Sequence, residues 1–219
     1  MSVSRSRIKR REFLKGITAA PLAAAALRLG PPEGELVNDI QTGLNPTWVS
    51  QIVRPSSAAD LATLINDCRK RGRALAVSGS RHAAGGQQFA KDSILLDMRS
   101  MNRVVALDAK TGLLQVEAGI EWPELIQGYL NLQKAEPAWG IRQKQGGADR
   151  ITLGGTISAN AHGHCLGAGP IVSDLEWIEL VTSDGETKRC SRKENKELFK
   201  LAVGGYGLDR KSTRLNSSH

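Results

Sequence analysis

The chain has 219 residues and a formal net charge of +8, and this excess of positive charge lies at its two ends. Residues 1–30 and 209–219 are basic, whereas the residues between them hold equal numbers of basic and acidic side chains. The neutral body therefore offers no basic surface for nucleic acid or an anionic membrane, and it is long enough for one domain or two small lobes.

The N-terminus has the residue order of an export signal. The segment KRREFLKG (9–16) precedes a short apolar stretch (17–29), which predicts a twin-arginine signal peptide over residues 1–30. The alternative is a basic amphipathic helix. A membrane anchor is disfavoured, because the stretch is shorter than the about 20 residues that a span needs and contains Pro21. We expect the twin-arginine machinery to deliver the protein to the periplasm or the cell exterior, with no stable membrane span.

The last eleven residues, DRKSTRLNSSH (209–219), are polar and lack any periodicity. They match the in-frame translation of a common sequencing adapter, so we expect a non-native tail after Leu208. A disordered polar tail has a similar composition and is the alternative. Resequencing the locus distinguishes the two.

The first half of the body contains a helix followed by strands. Residues 31–47 are rich in Pro, Gly and Asn and are interpreted as a linker. A helix then begins after Ser56 or Ser57 and ends at Gly72, because apolar residues recur with helical spacing at Leu61, Leu64, Ile65 and Cys68. Alternating or apolar runs predict four short strands, at 74–78, 94–98, 104–108 and 113–117, with a Thr111-Gly112 turn between the last two.

The second half shows a similar mixture. A helix is predicted over 122–132 with Pro123 in its first turn, and the segment 151–163, which opens with a glycine pair, is expected to begin another. Residues 175–190 alternate around Asp184-Gly185, which indicates a hairpin, and a short helix over 195–203 precedes a glycine turn. The sequence thus predicts an α+β fold with two lobes, about 48–118 and 119–208.

Cysteines and tryptophans are expected to have structural roles. Cys68, Cys165 and Cys190 are odd in number and widely spaced, so they form neither a disulfide framework nor a zinc site. Cys68 lies on the apolar helix face and is expected in the core. Trp122 and Trp139 are expected to pack in the core or between the lobes rather than to stack on a ligand ring.

The segment SGSRHAAGGQ (78–87) is the most informative stretch. It follows a strand, and its residues are too small to build a core. Runs of small residues present several backbone N–H groups in one concavity, which favours anions such as phosphate. Arg81 adds a cation and Ser80 a hydroxyl. The nucleotide-binding patterns G-x-G-x-x-G and G-x-x-x-x-G-K-[ST] do not occur here, and ordinary turns remain the alternative.

Five segments in a fixed order carry a resemblance: VSGSRHAAGG, EAGIEWPEL, TLGGTISANAHG, LVTSDG and AVGGYG. From about residue 46 to 208 the chain resembles the FAD-binding domain of the vanillyl-alcohol oxidase and p-cresol methylhydroxylase (PCMH-type) superfamily. The resemblance implies a two-lobed PCMH-type FAD-binding domain over 48–208, with FAD as cofactor. It also implies a C-terminal substrate domain, which is missing from this chain.

The resemblance also implies which residues hold the cofactor. Residues 79–83 would give amides to the pyrophosphate, and the second glycine segment would line the other side. The implied FAD-binding residues are Ser78, Gly79, Ser80, Arg81, His82, Ala83, Thr152, Gly154, Gly155, Ser158, His162 and Gly163. His82 occupies the position that is covalently joined to the flavin in many relatives; a histidine that only contacts the cofactor is the alternative. The stretch QKQGGADR contains no cysteine, so a second attachment is not expected.

The implied function is that of a FAD-dependent oxidoreductase, an oxidase or dehydrogenase. Hydride would pass from an alcohol, sugar or lactone-type small molecule to the flavin, and oxygen or another acceptor would reoxidise it. No catalytic residue is assigned, because the relatives carry theirs mostly in the substrate domain, and the fragment itself is expected to be inactive. The alternatives are a non-catalytic FAD- or nucleotide-binding protein and an NADPH-dependent flavin reductase. A metal site formed by His162, His164 and Cys165 is disfavoured by their loose spacing.

Overall fold

The computed structural model describes residues 33–133, 139–206 and the backbone of 211–217. The chain divides into two units, Met1–Glu33 and Gly34–His219, and the described residues after Glu33 belong to the second. The predicted signal peptide lies outside the described residues. Within the described ranges, no helix combines the length and the hydropathy of a bilayer-spanning segment.

The first part of the body is built on a three-stranded parallel sheet with the order β3-β5-β4. Its strands are β3 (Gln51–Val53), β4 (Leu75–Ser78) and β5 (Ile94–Asp97). A two-stranded antiparallel ribbon of β1 (Glu35–Val37) and β2 (Thr47–Val49) precedes it. Because the three parallel strands end at one edge, the loops that follow them lie side by side.

Helix α1 (Ala58–Lys70) covers this sheet as its periodicity predicts. Ser57 caps it by accepting a hydrogen bond from the amide of Asp60, and Leu61, Ile65 and Cys68 are buried. They form a core with residues of β5 and the short 3₁₀ turn Met98–Ser100 that follows it. This core extends to Val181, which joins the first part of the body to the second.

The second part is a five-stranded antiparallel sheet with the order β6-β7-β10-β8-β9. Its strands are β6 (Val104–Asp108), β7 (Leu113–Glu117), β8 (Leu175–Val181), β9 (Thr187–Ser191) and β10 (Lys211–Ser217). A 3₁₀ turn, Ile171–Asp174, leads into β8. Both predicted hairpins are confirmed, because Thr111-Gly112 and Asp184-Gly185 supply the turns between paired strands.

Three helices pack against this sheet and bury the largest core. They are α2 (Trp122–Leu132), α3 (Leu153–Ser158) and α4 (Lys196–Ala202). Trp122 and Leu125 of α2 meet Leu153 and Ile157 of α3 in this core. Trp122 lies in the core as expected. Trp139 is only partly buried, lies over Gly112 at the turn between β6 and β7, and donates its indole N–H to the carbonyl of Ala109 at 2.9 Å.

Three features differ from the sequence-based expectations. The interpreted linker 31–47 contains β1, whose backbone pairs with β2 although its side chains show no strand pattern. The hairpin of β6 and β7 belongs to the second sheet, so the two sheets separate before residue 104 rather than near 118. Residues 211–217, which carry no periodicity, run between β7 and β8, since pairing uses backbone groups that every sequence offers.

Candidate functional site

The first glycine loop begins where β4 ends, at the carboxyl edge of the parallel sheet. Ser78 is 2% exposed and Ser80 is 8% exposed, so the loop starts in the interior. Its backbone is tied to the lead-in segment, because the amide of Ile40 donates to the carbonyl of Arg81 at 3.0 Å. The carboxyl edge of a parallel sheet is the place where such folds bind ligands.

The second glycine loop is the N-terminus of α3 and lies directly against the first. Thr152 caps the helix by accepting a hydrogen bond from the amide of Gly155 at 3.3 Å. A Cβ atom at Gly79 would overlap Oγ1 of Thr152 and lie 2.9 Å from its Cγ2. The two loops can touch only because residue 79 has no side chain.

A cavity of about 390 Å³ lies between the two loops. Ten of the twelve sequence-predicted site residues line it: Ser78, Gly79, Ser80, Arg81, His82, Ala83, Thr152, Gly154, Gly155 and Ser158. The structure thus gathers one contiguous loop and one helix N-terminus, distant in the chain, around a single space.

His162 and Gly163 do not line this cavity. Ala159 and Ala161 still line it, so the chain leaves the cavity only after Ala161. His162 is exposed, with Nδ1 3.0 Å from the carbonyl of Gly163, and Gly163 packs on the backbone of Lys144. Among the described residues no group of three or more His, Cys, Asp or Glu is placed to hold a metal ion.

Sequence reasoning missed three glutamines on the cavity wall, Gln87, Gln88 and Gln145. Gln145 is 8% exposed, and neither its amide oxygen nor its amide nitrogen has a hydrogen-bond partner. Glutamine in a loop carries no pattern, so only the position of Gln145 just before the second glycine loop could have drawn attention to it. Tyr206 also lines the cavity, from the glycine turn after α4.

The cavity wall contains buried polar atoms that the protein itself does not satisfy. They are Oγ of Ser78, Nε of Arg81, Nε2 of His82 and both amide atoms of Gln88 and Gln145. A buried polar atom without a partner is rare, because losing its hydrogen bonds to water costs about 1–3 kcal/mol. Such a concentration on one wall indicates that a polar ligand supplies the missing partners.

A buried carboxylate stands behind the first loop. Asp97, at the end of β5, is fully buried and takes two hydrogen bonds from Arg99, at 2.9 and 2.6 Å. Arg54 and Arg81 approach the same carboxylate to 3.6 and 3.9 Å. Burial raises the pKa of Asp97, but the hydrogen bonds and charge of Arg99 lower it more, so the net shift is downward and the group stays ionised at neutral pH.

A second buried carboxylate fixes the same loop from the other side. Ser80 donates its hydroxyl to Oε1 of Glu121 at 2.6 Å, and Glu121 is 9% exposed at the N-terminus of α2. Arg150 approaches the other oxygen of Glu121 to 3.4 Å. Glu121 also pairs with Thr152 in an isolated β-bridge. One residue therefore connects both glycine loops.

His82 lies in the wall with its two ring nitrogens in different surroundings. Nδ1 is 3.4 Å from the amide oxygen of Gln41, whereas Nε2 is buried without a partner. An imidazole nitrogen that no protein group occupies is free to hydrogen-bond a ligand or to act as a nucleophile.

Comparisons with known proteins agree with this geometry. The sequence profile of the FAD binding domain matches residues 49–191. The chain is 30% identical to an uncharacterized oxidoreductase of the fasciation locus of Rhodococcoides fascians, over 77% of this chain and 38% of the relative. It is 31% identical to cytokinin dehydrogenase 8 of Oryza sativa, over 71% of this chain and 31% of the relative.

A third relative is L-gulono-1,4-lactone dehydrogenase of Mycobacterium tuberculosis, 29% identical over 73% of this chain and 36% of the relative. The chain therefore spans less than two-fifths of the length of these three relatives.

The cavity fits FAD in its chemistry. Glycine at residue 79 lets the two loops that form the cavity meet, and the unpartnered atoms of Ser78, Arg81 and Gln145 offer both donors and acceptors to a polar cofactor. Ile151, Met98 and Ala118 add apolar wall for a flat ring. The matched profile covers both glycine loops. The cofactor is FAD, and the chain belongs to the FAD binding domain family of the PCMH-type flavoprotein superfamily.

Proposed function

We propose that the protein is a FAD-dependent oxidoreductase that acts on the CH–OH group of an alcohol, sugar or lactone-type small molecule. The observation that carries the proposal is the cavity between the two glycine loops, whose wall contains buried polar atoms without hydrogen-bond partners. The chain that forms this cavity belongs to the FAD binding domain family. The names of the relatives, dehydrogenases and an oxidoreductase, support redox chemistry. The lactone dehydrogenase supports the substrate class.

Bound FAD supplies a ring that accepts a hydride from the substrate and passes the electrons to oxygen or another acceptor. The residues of this chain bind the cofactor and orient it. The backbone of residues 79–83 would offer N–H groups to an anionic cofactor. The first amides of α3 are already bonded within the protein, so this helix contributes the wall of the cavity. Asp97 and Glu121 fix the first loop, so its N–H groups are positioned before the cofactor arrives.

The first test measures the binding of FAD by this chain. Purified protein is incubated with FAD, separated from free flavin by gel filtration and examined by its visible spectrum. Retained flavin colour supports the proposal, and a colourless protein overturns it. A Gly155→Val variant is the matched control, because residue 155 lines the cavity and its Cβ would already lie 3.1 Å from Oγ1 of Thr152, so the larger side chain should prevent retention.

Turnover is tested with the gene extended past residue 208. Candidate alcohols, sugars and lactones are added without oxygen, and bleaching of the flavin colour is recorded. Bleaching by one class identifies the donor. A holoprotein that no donor bleaches favours a non-catalytic FAD-binding protein, and bleaching by NADPH alone favours a flavin reductase.

We further propose that His82 is joined covalently to the flavin. Its Nε2 lies at the cavity, buried and without a partner, which suits it to bond to the 8-methyl carbon of the flavin. This bond would replace one C–H bond of the methyl group, with loss of that proton and of the imidazole N–H proton, and the two electrons would pass through the flavin ring to oxygen or another acceptor. Acid precipitation of the holoprotein tests this, because covalently bound flavin stays in the pellet and free FAD stays in the supernatant.

Export by the twin-arginine route is also proposed, because residues 9–16 have the required order and because that route carries folded proteins with their cofactors. Replacement of Arg10 and Arg11 by lysine should retain the protein in the cytoplasm. Normal export of that variant, measured by cell fractionation, would remove the proposal.

A further inference from the structure

Arg81 occupies a backbone conformation that a large L-residue adopts only at a cost. Its φ is 62°, in the left-handed region. Among the described residues, the other non-glycine residues with positive φ are Asp92, Asn160, Asn195 and Tyr206. Asp and Asn tolerate this region, whereas arginine does not favour it. A glycine at residue 81 would make the same turn without strain, so the backbone alone does not explain the arginine.

The side chain of Arg81 points to an explanation. Only 18% of it is exposed, it lines the cavity, and its Nε is buried without a hydrogen-bond partner. Its nearest charged partner is Asp97, at 3.9 Å, which is an ion-pair distance longer than a hydrogen bond. The Nε–H group of the guanidinium therefore has no acceptor among the described residues of the protein.

The surrounding charges leave the guanidinium available for an anion. Asp97 is already bound through both oxygens by Arg99 and is also approached by Arg54. Three guanidinium groups thus share one carboxylate, which leaves an excess of positive charge at the carboxyl edge of the parallel sheet. Two other carboxylates lie nearby. Glu35 also attracts Arg81 and accepts a hydrogen bond from the amide of Ile52, and Glu121 is engaged by Ser80 and Arg150.

We propose that Arg81 is retained in a strained conformation for its charge, as the side chain that pairs with the pyrophosphate of FAD, and that Asp97 is the positioning residue that holds its guanidinium at the cavity wall. This inference rests on the proposed binding of FAD. Asp97 orients the Arg81 cation by a long ion pair, whereas Arg99 neutralises most of the charge of Asp97. The Arg81 guanidinium therefore keeps its capacity to bind a phosphate oxygen.

The first experiment uses a substitution whose effects on stability and on binding have opposite signs. Arg81→Gly removes the strain, so the thermal midpoint of the apoprotein should be unchanged or rise by up to about 4 °C. Its dissociation constants for FAD and ADP, measured by fluorescence and calorimetry, should rise about 10- to 100-fold. Affinity for riboflavin, which lacks phosphate, should change less than about twofold.

Two control variants separate charge from strain. Arg81→Lys keeps the cation and the strain, so it should bind FAD more tightly than Arg81→Gly without any gain in thermal midpoint. Asp92→Gly relieves a left-handed residue that is exposed and lies outside the cavity wall, so it should leave FAD affinity unchanged.

Asp97→Asn tests the positioning role. If only total charge mattered, removing a carboxylate would strengthen the binding of FAD and ADP. If Asp97 positions Arg81, both ligands should bind about 3- to 30-fold more weakly, with riboflavin unaffected. Tighter binding of FAD by a folded Asp97→Asn protein overturns the positioning role.

The outcomes distinguish this inference from the proposed function. A wild-type chain that binds no FAD overturns both. Wild-type binding with unchanged FAD and ADP affinity in Arg81→Gly overturns only the inference. A lower thermal midpoint in Arg81→Gly, with FAD and riboflavin weakened alike, shows that Arg81 is structural and also overturns it.

Discussion

The contact between the two glycine loops allows a quantitative prediction. Gly79 has no left-handed φ, so alanine fits its backbone, and the nearest obstacle is the side chain of Thr152. A Cβ at residue 79 would overlap Oγ1 of Thr152 and approach its Cγ2 to 2.9 Å. Thr152 is 2% exposed and cannot turn its hydroxyl away without losing the cap on α3.

The expected magnitude follows from these two effects. Overpacking of this kind costs about 1–3 kcal/mol, and loss of a threonine cap costs about 1 kcal/mol. Gly79→Ala should therefore lower the free energy of unfolding by about 2–3 kcal/mol. Thr152→Ala alone should cost about 1–2 kcal/mol. In the double variant the two Cβ atoms would still lie 3.0 Å apart, so the relief is incomplete.

Urea unfolding of the apoprotein provides the assay. A double-mutant cycle compares wild type with both single variants and the double variant. The double variant should be more stable, by about 1–2 kcal/mol, than the sum of the two single effects predicts. Gly167→Ala is the matched control, since its Cβ would meet no atom within 4 Å, and it should change stability by less than about 0.5 kcal/mol. Strictly additive single effects would refute the contact between the loops.

Three further predictions concern the cavity and the loop before it. His82→Ala should leave all flavin in the supernatant after acid precipitation; flavin that remains attached to this variant contradicts the covalent role of His82. Gly155→Val should abolish FAD retention while the protein stays folded by circular dichroism, and normal flavin content in the folded variant would place the cofactor elsewhere. Hydrogen bonds from Asn45, and then from the Thr42 amide, lower the pKa of Asp39. A carboxylate with a lowered pKa in the folded state stabilises the protein above the unfolded pKa of about 3.9, and this stability is lost as the pH falls below that value. Asp39→Asn should therefore flatten the decrease of thermal stability below about pH 4. An unchanged acid limb would contradict the contribution of Asp39.

Local chemistry made much of the fold predictable. The periodicity of α1, the proline in the first turn of α2 and the turn dipeptides of both hairpins act over a few residues, so each element follows from its own stretch of sequence. The small residues after β4 and in the first turn of α3 likewise identified both loops of the cavity. These signals do not depend on the rest of the chain.

The tertiary structure alone decided which distant residues meet. Ser80 and Glu121 are 41 residues apart, and no pattern links them. Asp97 ends a strand whose side chains are all buried, so its charge and its three arginine neighbours become significant only when the parallel strands align their carboxyl ends. Gln88 and Gln145 are ordinary loop residues in sequence, whereas His162 and Gly163 belong to a matching motif yet lie outside the cavity, which the chain leaves after Ala161.

The sequence by itself determined the local elements and the two glycine loops, because steric and hydrogen-bonding preferences act between near neighbours. Only the tertiary structure set the charge and the width of the cavity, because these depend on carboxylates and amides brought together by the packing of two sheets and their helices. Electrostatic and packing energies depend on distance in space, and distance along the chain does not reveal it.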